Sequence, residues 1–367
     1  LKMFFPAGFY YKTFMWPPSF WYKIYEPFIR MAAGFGEASI KHDKERYEHK
    51  YEYCDLLITG SGPSGLASAY AAAKNGARVI LAEDKPRFGG SLLTSDVNIG
   101  NQTGVEWTEK IIAELKSMPN VTVKNRSQVF GYYDHNMLVM SERISDHLPK
   151  TQKYLPKQRL WYIRANEVLI SSGSIERPLV FGNNDTPGVM LSSAAKEYMK
   201  VYGVLVGKKP LIFTNNDSGY ETAIEFKKNG VNPIILDTRS NPSSDIITEA
   251  KNLNIEIKFS YVVVAAKGYK KVKSADIAKI SDDKKELFNI ENIECDCICV
   301  SGFWTPSIHL ASQSGNKSKF NEKIDAFVPD KSKQQENTIG SANGIFTLEE
   351  TIKDAFDKGF DVSNKIT

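Results

Sequence analysis

Cysteine is scarce, with four residues in a chain of 367. Cys54 stands alone, while Cys295, Cys297 and Cys299 alternate in the run ECDCICV. No CxxC pair occurs, which argues against disulfide-reductase chemistry. On a strand, period-two spacing predicts the three clustered thiols on one face, their Cα atoms about 6 to 7 Å apart. That is poor geometry for a disulfide or a tetrahedral metal, so the run reads as small apolar residues of a buried strand in a reducing cytoplasm. Histidine is almost as rare: His42, His49, His135, His147 and His309. No two have metal-ligand spacing, and neither Ser-x-x-Lys nor G-x-S-x-G appears, so no metal ligand and no catalytic residue is assigned. A convincing general base is missing too. No apolar run approaches the roughly 18 to 20 residues of a membrane span, and no secretory signal is visible. Forty-seven Lys and Arg against 43 Asp and Glu leave a net charge of +4, too little to argue for nucleic acid. The start at Leu1 and the stop at Thr367 suggest a piece of a longer polypeptide.

What is present is the balance of a globular protein, 42% hydrophobic and 25% charged, long enough for two or three domains. Residues 1–30 are dense in Phe, Tyr and Trp, interrupted by Pro6, Pro17, Pro18 and Pro27. Such a segment makes a poor continuous helix and has to bury its rings against the body or a partner subunit. The charged run 41–53 reads as a solvated linker or an exposed helical turn. Strands and helices then alternate. Asp55–Thr59 is a strand, GSGPSG follows, LASAYAAAKNG is a helix and ARVILAED a second strand. A helix near 106–117 and the strand VTV complete a β-α-β-α-β unit, the mark of a parallel doubly wound sheet. Residues 128–133 and 137–142 read as a hairpin turned at Asp134–Asn136, followed by RLWYIRA and EVLISSG. The pattern restarts at 209–236 as strand, helix and strand, with IEIKFSYVVVAAKG and DCICVSG closing a second sheet. Residues 337–360 read as a glycine turn feeding a helix. The expected plan is α/β, two Rossmann-like dinucleotide-binding domains of the FAD/NAD(P)-binding, pyridine-nucleotide oxidoreductase type, one inserted in the other. Residues 1–50 are the aromatic segment and linker, 51–190 plus 306–367 the first Rossmann domain, and 191–305 the inserted second.

Gly60, Gly62 and Gly65 form G-x-G-x-x-G between a strand and a helix, the context that makes a weak pattern meaningful. Gly60 suits the tight turn, Gly62 lets backbone approach a pyrophosphate, and Gly65 lets helix and strand pack closely. Free N–H groups at the helix start, aided by the peptide dipoles, face a bound anion, and Pro63 stands where no helical N–H is needed. Glu83 and Asp84 end the second strand, where a carboxylate accepts from an adenosine ribose hydroxyl. The same charge would repel a 2′-phosphate, by up to ~4 kcal/mol per charge pair at 4 Å if the effective dielectric is near 20, which disfavours NADP. Gly89 and Gly90, with Ser91, give a second close approach to phosphate. NAD and FAD share the adenosine diphosphate end and are not separated by the motif. In the second half the corresponding junction reads T-N-N-D-S-G: Thr214, Asn216 and Gly219 stand where three glycines would, and Asp217 adds repulsion. That pocket is expected to be lost or repurposed.

PAGFYYKTFMWP, SGPSGLASAYAAAKNGARVIL, FGYYDHN, GSIERPLVFGNNDTPGVMLSSAA, FTNNDSGYETA and IGSANGIF, in this order, resemble the alpha subunits of heterotetrameric sarcosine oxidases over nearly the whole chain. The resemblance implies a cytoplasmic bacterial complex of alpha, beta, gamma and delta subunits that oxidatively demethylates sarcosine to glycine in one-carbon metabolism. The beta subunit would hold FAD and oxidise the amine, with a covalent FMN near its interface. A folate domain outside this chain would pass the one-carbon unit to tetrahydrofolate. The alpha subunit would bind NAD in its first Rossmann domain. By the same resemblance Gly60, Gly62, Ser64 and Gly65 face the pyrophosphate, and Glu83, Asp84 and Lys85 border the ribose. Gly90 and Ser91 stand near the phosphates, Val129 beside the adenine, and Gly173 ends the following strand. Gly340 to Ala342 match a late glycine turn in which Ser341 replaces the Asp that commonly meets a flavin ribityl chain, which favours NAD over FAD. Two other readings remain: a self-contained FAD-dependent NAD(P)H oxidoreductase, and the alpha subunit of a related amino-acid or opine dehydrogenase. A scaffold with a vestigial nucleotide site is a further possibility.

Overall fold

The structure, a computed structural model, describes residues 16–34, 36–149 and 154–366. The chain divides into two units, Leu1–Glu45 and Arg46–Thr367. In the first, a π-helical turn at Trp21–Tyr25 continues into an α-helix at Glu26–Ala32. The expected break at Pro27 does not occur. Its ring would press on the carbonyl four residues earlier, Lys23, and that carbonyl lies inside the wider π turn. Half of the aromatic residues of the run expected here, those within residues 1–15, lie outside the described residues.

The second unit opens with β1 (Tyr47–Thr59), α1 (Pro63–Lys74) and β2 (Val79–Ala82). Next come α2 (Gly104–Ser117), β3 (Val121–Lys124), β4 (Ser127–Tyr133), β5 (Met137–Arg143) and β6 (Gln158–Ile170). Thr103 and Glu106 form a reciprocal capping box that starts α2 two residues before the expected point. These strands make a sheet ordered β3-β2-β1-β6-β5-β4, parallel from β3 to β6 and antiparallel through the β4–β5 hairpin. The charged run 41–53 is largely strand and not linker. Tyr47 to Cys54 pair in register with Gln158 to Ala165, and both faces there are mostly exposed. Leu56 and Ile58 face one core with Leu66, Ala69, Ala72 and Leu115, while Leu57 faces another with Ile80, Met140 and Ile163. Burial on both faces is why this stretch is continuously apolar.

After β7 (Ser174–Glu176) the chain enters its second sheet: β8 (Val189–Leu191), α3 (Ser192–Tyr202), β9 (Pro210–Thr214), α4 (Ser218–Lys228), β10 (Ile234–Asp237), α5 (Asp245–Asn252) and β11 (Glu256–Phe259). Ser260 then adopts φ 58°, and the segment IEIKFSYVVVAAKG, expected to help close the second sheet, divides there, only its first part joining that sheet. Its second part, β12 (Tyr261–Gly268), joins β13 (Val272–Ile280) and β14 (Leu287–Glu294) in a separate antiparallel sheet. β15 (Cys297–Ser301) returns to the second sheet, ordered β8-β15-β9-β10-β11 and parallel throughout. The three clustered cysteines do not share a face. Cys295 precedes β15 and packs with Ile298 and Val300, whereas Cys297 and Cys299 face Met199 and Phe226 with their sulfurs 3.5 Å apart.

The last segment goes back to the first sheet. β16 (Trp304–Pro306) pairs with β7, β17 (Glu336–Thr338) lies parallel to the C-terminal part of β6, and α6 (Leu348–Ile366) packs on α1. The alanine-rich surface of α1 permits that contact: a Cβ on Gly359 would lie 2.4 Å from the Ser68 carbonyl oxygen. FGYYDHN is structural. Tyr132 O–H donates to Asn136 Oδ1 at 2.8 Å inside the core, and Asn136 Nδ2 donates to the Asn166 and Gln335 carbonyls.

Candidate functional site

β1 ends at Thr59, and Gly60, at φ 101°, turns the chain into α1 while its N–H donates to the Ala82 carbonyl at 2.7 Å. A Cβ on Gly65 would stand 1.9 Å from the Gly60 carbonyl oxygen, so the first turn of α1 sits directly on the turn before it. Gly62 caps α1 in extended backbone, and a Cβ there would meet nothing within 4 Å. Its exposed side therefore fronts open space at a helix N-terminus. Pro63 occupies the first turn, and the early N–H groups of α1, Ser64 and Gly65 among them, have no helical partner and point toward that space.

Three further segments converge on this turn. Gly89 donates its N–H to the Ser61 carbonyl at 3.0 Å, and a Cβ on Gly90 would lie 2.9 Å from Gly62 Cα. Ser91 continues a short 3-10 turn, Gly90–Leu93. The late glycine turn is a second 3-10 turn, Gly340–Asn343, with Gly340 and Ala342 buried. A Cβ on Gly340 would reach within 2.6 Å of Ser64 Oγ. Gly173, just after β6, would place a Cβ 4.0 Å from Ser341 Oγ. Val129 stands on β4 opposite Met140 and packs against the second core cluster. It lies two residues beyond Ser127, whose N–H donates to the Glu83 carbonyl.

Glu83 is only 6% exposed. Its Oε2 accepts from Ser61 N–H at 2.9 Å and Ser61 Oγ–H at 2.6 Å, and its Oε1 accepts from Lys85 N–H at 2.9 Å. Burial, and then the adjacent Asp84 carboxyl, push the Glu83 carboxyl above the ordinary carboxylate value despite these donors. Asp84 and Lys85 are exposed; the Asp84 carbonyl accepts from Arg143 at 2.6 Å and Lys85 Nζ pairs with Glu197 of α3 at 3.1 Å. Farther along, Asp96 pairs with Lys200 of α3 and Lys228 of α4. Motif reading missed Ser61, Arg143 and Asp96. Ser61 carried a signal, being the one polar side chain between the first two glycines.

At the second junction the protein's own groups fill the equivalent place. Ser218 N–H donates to Asn216 Oδ1 at 2.9 Å, Asn216 N–H to Thr214 Oγ1 at 3.1 Å, and Asn216 Nδ2 to the Ser301 carbonyl at 3.0 Å. Arg239 pairs with Asp217 at 2.9 Å and with Asp237 at 2.8 Å; Asp237 also accepts from Tyr220 O–H at 2.7 Å. Burial alone would lower the Arg239 value, but the two aspartates outweigh it and hold the guanidinium firmly charged. Burial and then Asp237 push the Tyr220 hydroxyl up.

All four cysteines are free and buried, and burial pushes the Cys54 and Cys295 thiols up to about 12. Among the described residues no group of three or more His, Cys, Asp or Glu is placed to hold a metal ion, and no helix is long and apolar enough to cross a membrane. The donor set around Gly62 fits an adenosine diphosphate end: a cradle a side chain would fill, a helix N-terminus behind it, and a buried carboxylate at the end of β2.

A family model described as pyridine nucleotide-disulphide oxidoreductase matches residues 54–336. The chain is similar to the sarcosine oxidase subunit alpha of Rhizobium meliloti, 40% identical over 329 residues, 89% of this chain and 32% of that protein. To the same subunit of Corynebacterium sp. strain P-1 it is 33% identical over 317 residues, 85% of this chain and 33% of that one. It thus spans about a third of the length of these curated relatives. Among solved structures, thioredoxin reductase of T. acidophilum overlays with a TM-score of 0.65 at 17% identity, covering 85% of this chain and 98% of the other, a likeness of fold.

Proposed function

The chain belongs to the pyridine nucleotide-disulphide oxidoreductase family, and from that premise we propose that its first half binds NAD as part of the alpha subunit of a sarcosine-oxidising complex. The observation that carries the reading is the open face of Gly62, fronted by the α1 N-terminus and walled by Gly90, with Glu83 at the end of the next strand. Gly60, Ser64 and Gly65 would hold the diphosphate from α1. Gly90 and Ser91 would meet it from the opposite loop, and Gly340 and Ala342 from the late turn. Glu83, Asp84 and Lys85 would border the ribose, Val129 the adenine, and Gly173 the far end of the cleft. A bound NAD would supply a hydride acceptor. The acidic end of β2 disfavours a 2′-phosphate.

The similarity to sarcosine oxidase alpha subunits supports placing amine oxidation on a partner. Among the described residues no group of three or more His, Cys, Asp or Glu is placed to hold a metal ion. In this proposal the beta, gamma and delta subunits, FAD, FMN and a tetrahydrofolate-binding domain lie outside this chain, and the complex is cytoplasmic. The decisive experiment is titration of the purified protein with NAD and NADP. NAD should bind at least about tenfold more tightly, the scale of one charge-assisted hydrogen bond. Equal affinities, or a purified chain already loaded with FAD in this half, overturn the reading.

A further inference from the structure

We propose that Ser61 is a positioning residue: by gripping one oxygen of Glu83 it aims the other at the adenosine ribose and so sets the preference for a free 2′-hydroxyl. The inference deepens the dinucleotide reading and rests on it. Ser61 lies between Gly60 and Gly62 and has no exposed surface. All its polar groups are committed. N–H and Oγ–H both donate to Glu83 Oε2, at 2.9 and 2.6 Å, and the carbonyl accepts from Gly89 N–H at 3.0 Å. One residue thereby ties together the first glycine turn, the second glycine turn and the acid at the end of β2.

A carboxylate offers roughly four lone-pair sites. Two on Oε2 are taken by Ser61 and one on Oε1 by Lys85 N–H, so the remaining acceptor site lies on Oε1. A single remaining site makes its direction matter. The Ser61 pair fixes one end of the carboxyl plane and the Lys85 N–H the other, and a hydrogen bond to a sugar hydroxyl depends steeply on that plane. Removing the hydroxyl would free one site on Oε2 and loosen the plane. The ribose would then find an acceptor in several orientations, none of them held. The groups around Glu83 do not replace this grip: the adjacent Asp84 carboxyl works against the Glu83 charge and does not hold it. Arg143 is engaged on the Asp84 carbonyl and the Lys85 ammonium on Glu197, while Lys124 contributes its carbonyl to Glu83 N–H.

The bland alternative is that Ser61 merely satisfies a buried carboxylate. A cycle of two proteins and two nucleotides separates the two roles. In the intact protein, NAD and its analogue lacking the adenosine 2′-hydroxyl are titrated against wild type and Ser61→Ala. Wild type should prefer NAD by about tenfold, the effect of one hydrogen bond to a charged group. In Ser61→Ala the preference should fall below about twofold while binding of the analogue stays nearly unchanged. Equal weakening of both nucleotides, or an unaltered preference, overturns the positioning role. If wild type binds neither nucleotide, the dinucleotide reading itself falls and this proposal with it. Should the alanine variant fail to fold, Ser61→Cys, nearly isosteric with a weaker donor, should give an intermediate preference. A wild-type preference in that variant counts against the proposal.

Discussion

The two strand–turn–helix junctions, 59–65 and 214–219, are one device treated in opposite ways. At the first, the position that faces the helix N-terminus is Gly62 and opens on empty space. At the second it is Asn216, whose amide accepts from the α4 N-terminal region and donates to the Ser301 carbonyl. The acids that end the paired strands differ in the same sense. Glu83 is held by neutral donors, whereas Asp237 is held by the cation of Arg239. A helix start needs an acceptor, and either a ligand or a neighbouring side chain can supply it. In the second half the chain supplies its own, and what was a crevice becomes packing.

The sharpest break of that comparison would come from adding one methyl group to each half. Gly65→Ala puts a Cβ 1.9 Å from a backbone oxygen that cannot yield, and should cost more than about 3 kcal/mol and abolish nucleotide binding. Gly219→Ala meets Thr214 Cβ and Oγ1 at 2.7 Å, a clash shallower by 0.8 Å and relieved by a small backbone shift, so about 1 to 2 kcal/mol is expected. Urea unfolding measures both, and equal losses would contradict the contrast. Next in size is Arg239→Met. Asp237 has no exposed surface, and removing its cation should destabilise by about 3 kcal/mol with no change in NAD affinity. A lost affinity would place a working site in the second half.

A smaller effect follows from acidity. The Glu83 carboxyl lies above the ordinary carboxylate value, so NAD affinity should fall, by about tenfold, as pH drops through that raised value. Glu83→Gln should be flat over the same window. The stability sign is opposite. The protonated acid favours the fold below the unfolded-state value, and that contribution is lost as pH rises through the folded one. Asp84, Lys85, Lys124 and Arg143 surround the group, and isothermal titration at several pH values reads the difference. The smallest effect is Asp96→Asn. Burial pushes Asp96 up, but Lys200 and Lys228 outweigh it and hold the acid below its usual range. Its contribution is therefore present above the unfolded value and lost as pH falls through the folded one. Being exposed, the ties should matter by less than about 1 kcal/mol and vanish in high salt, as thermal unfolding would record.

The order of strands and helices around Gly60–Gly65 and Thr214–Gly219 was legible because apolar runs and glycine stops agree there. The first half of β1 was hidden. Tyr47, His49, Tyr51 and Tyr53 alternate with Glu48, Lys50 and Glu52, and with both faces exposed neither set signals a core. Ser260 divides the stretch IEIKFSYVVVAAKG by its backbone conformation, and β13 and β14 carry too much Lys, Asn and Glu to read as sheet. At the site, residue types were legible and their partners were not. Nothing in GSGPSG says that Ser61 reaches across to Glu83, because that contact exists only once β1 and β2 lie side by side.

Gly340 against Ser64 and Gly359 against Ser68 also fix a timetable. The cradle's front leaves the ribosome early and its lid about 280 residues later, a wait on the order of tens of seconds at roughly 5–20 residues per second. Until the lid arrives, the small, alanine-covered flank of α1 stays wet, and a nascent chain has half a grip to offer. If the first half binds a nucleotide as proposed, loading would be a late event in the life of this polypeptide, and a chaperone that shields α1 in the interval would guard a surface that α6 later covers.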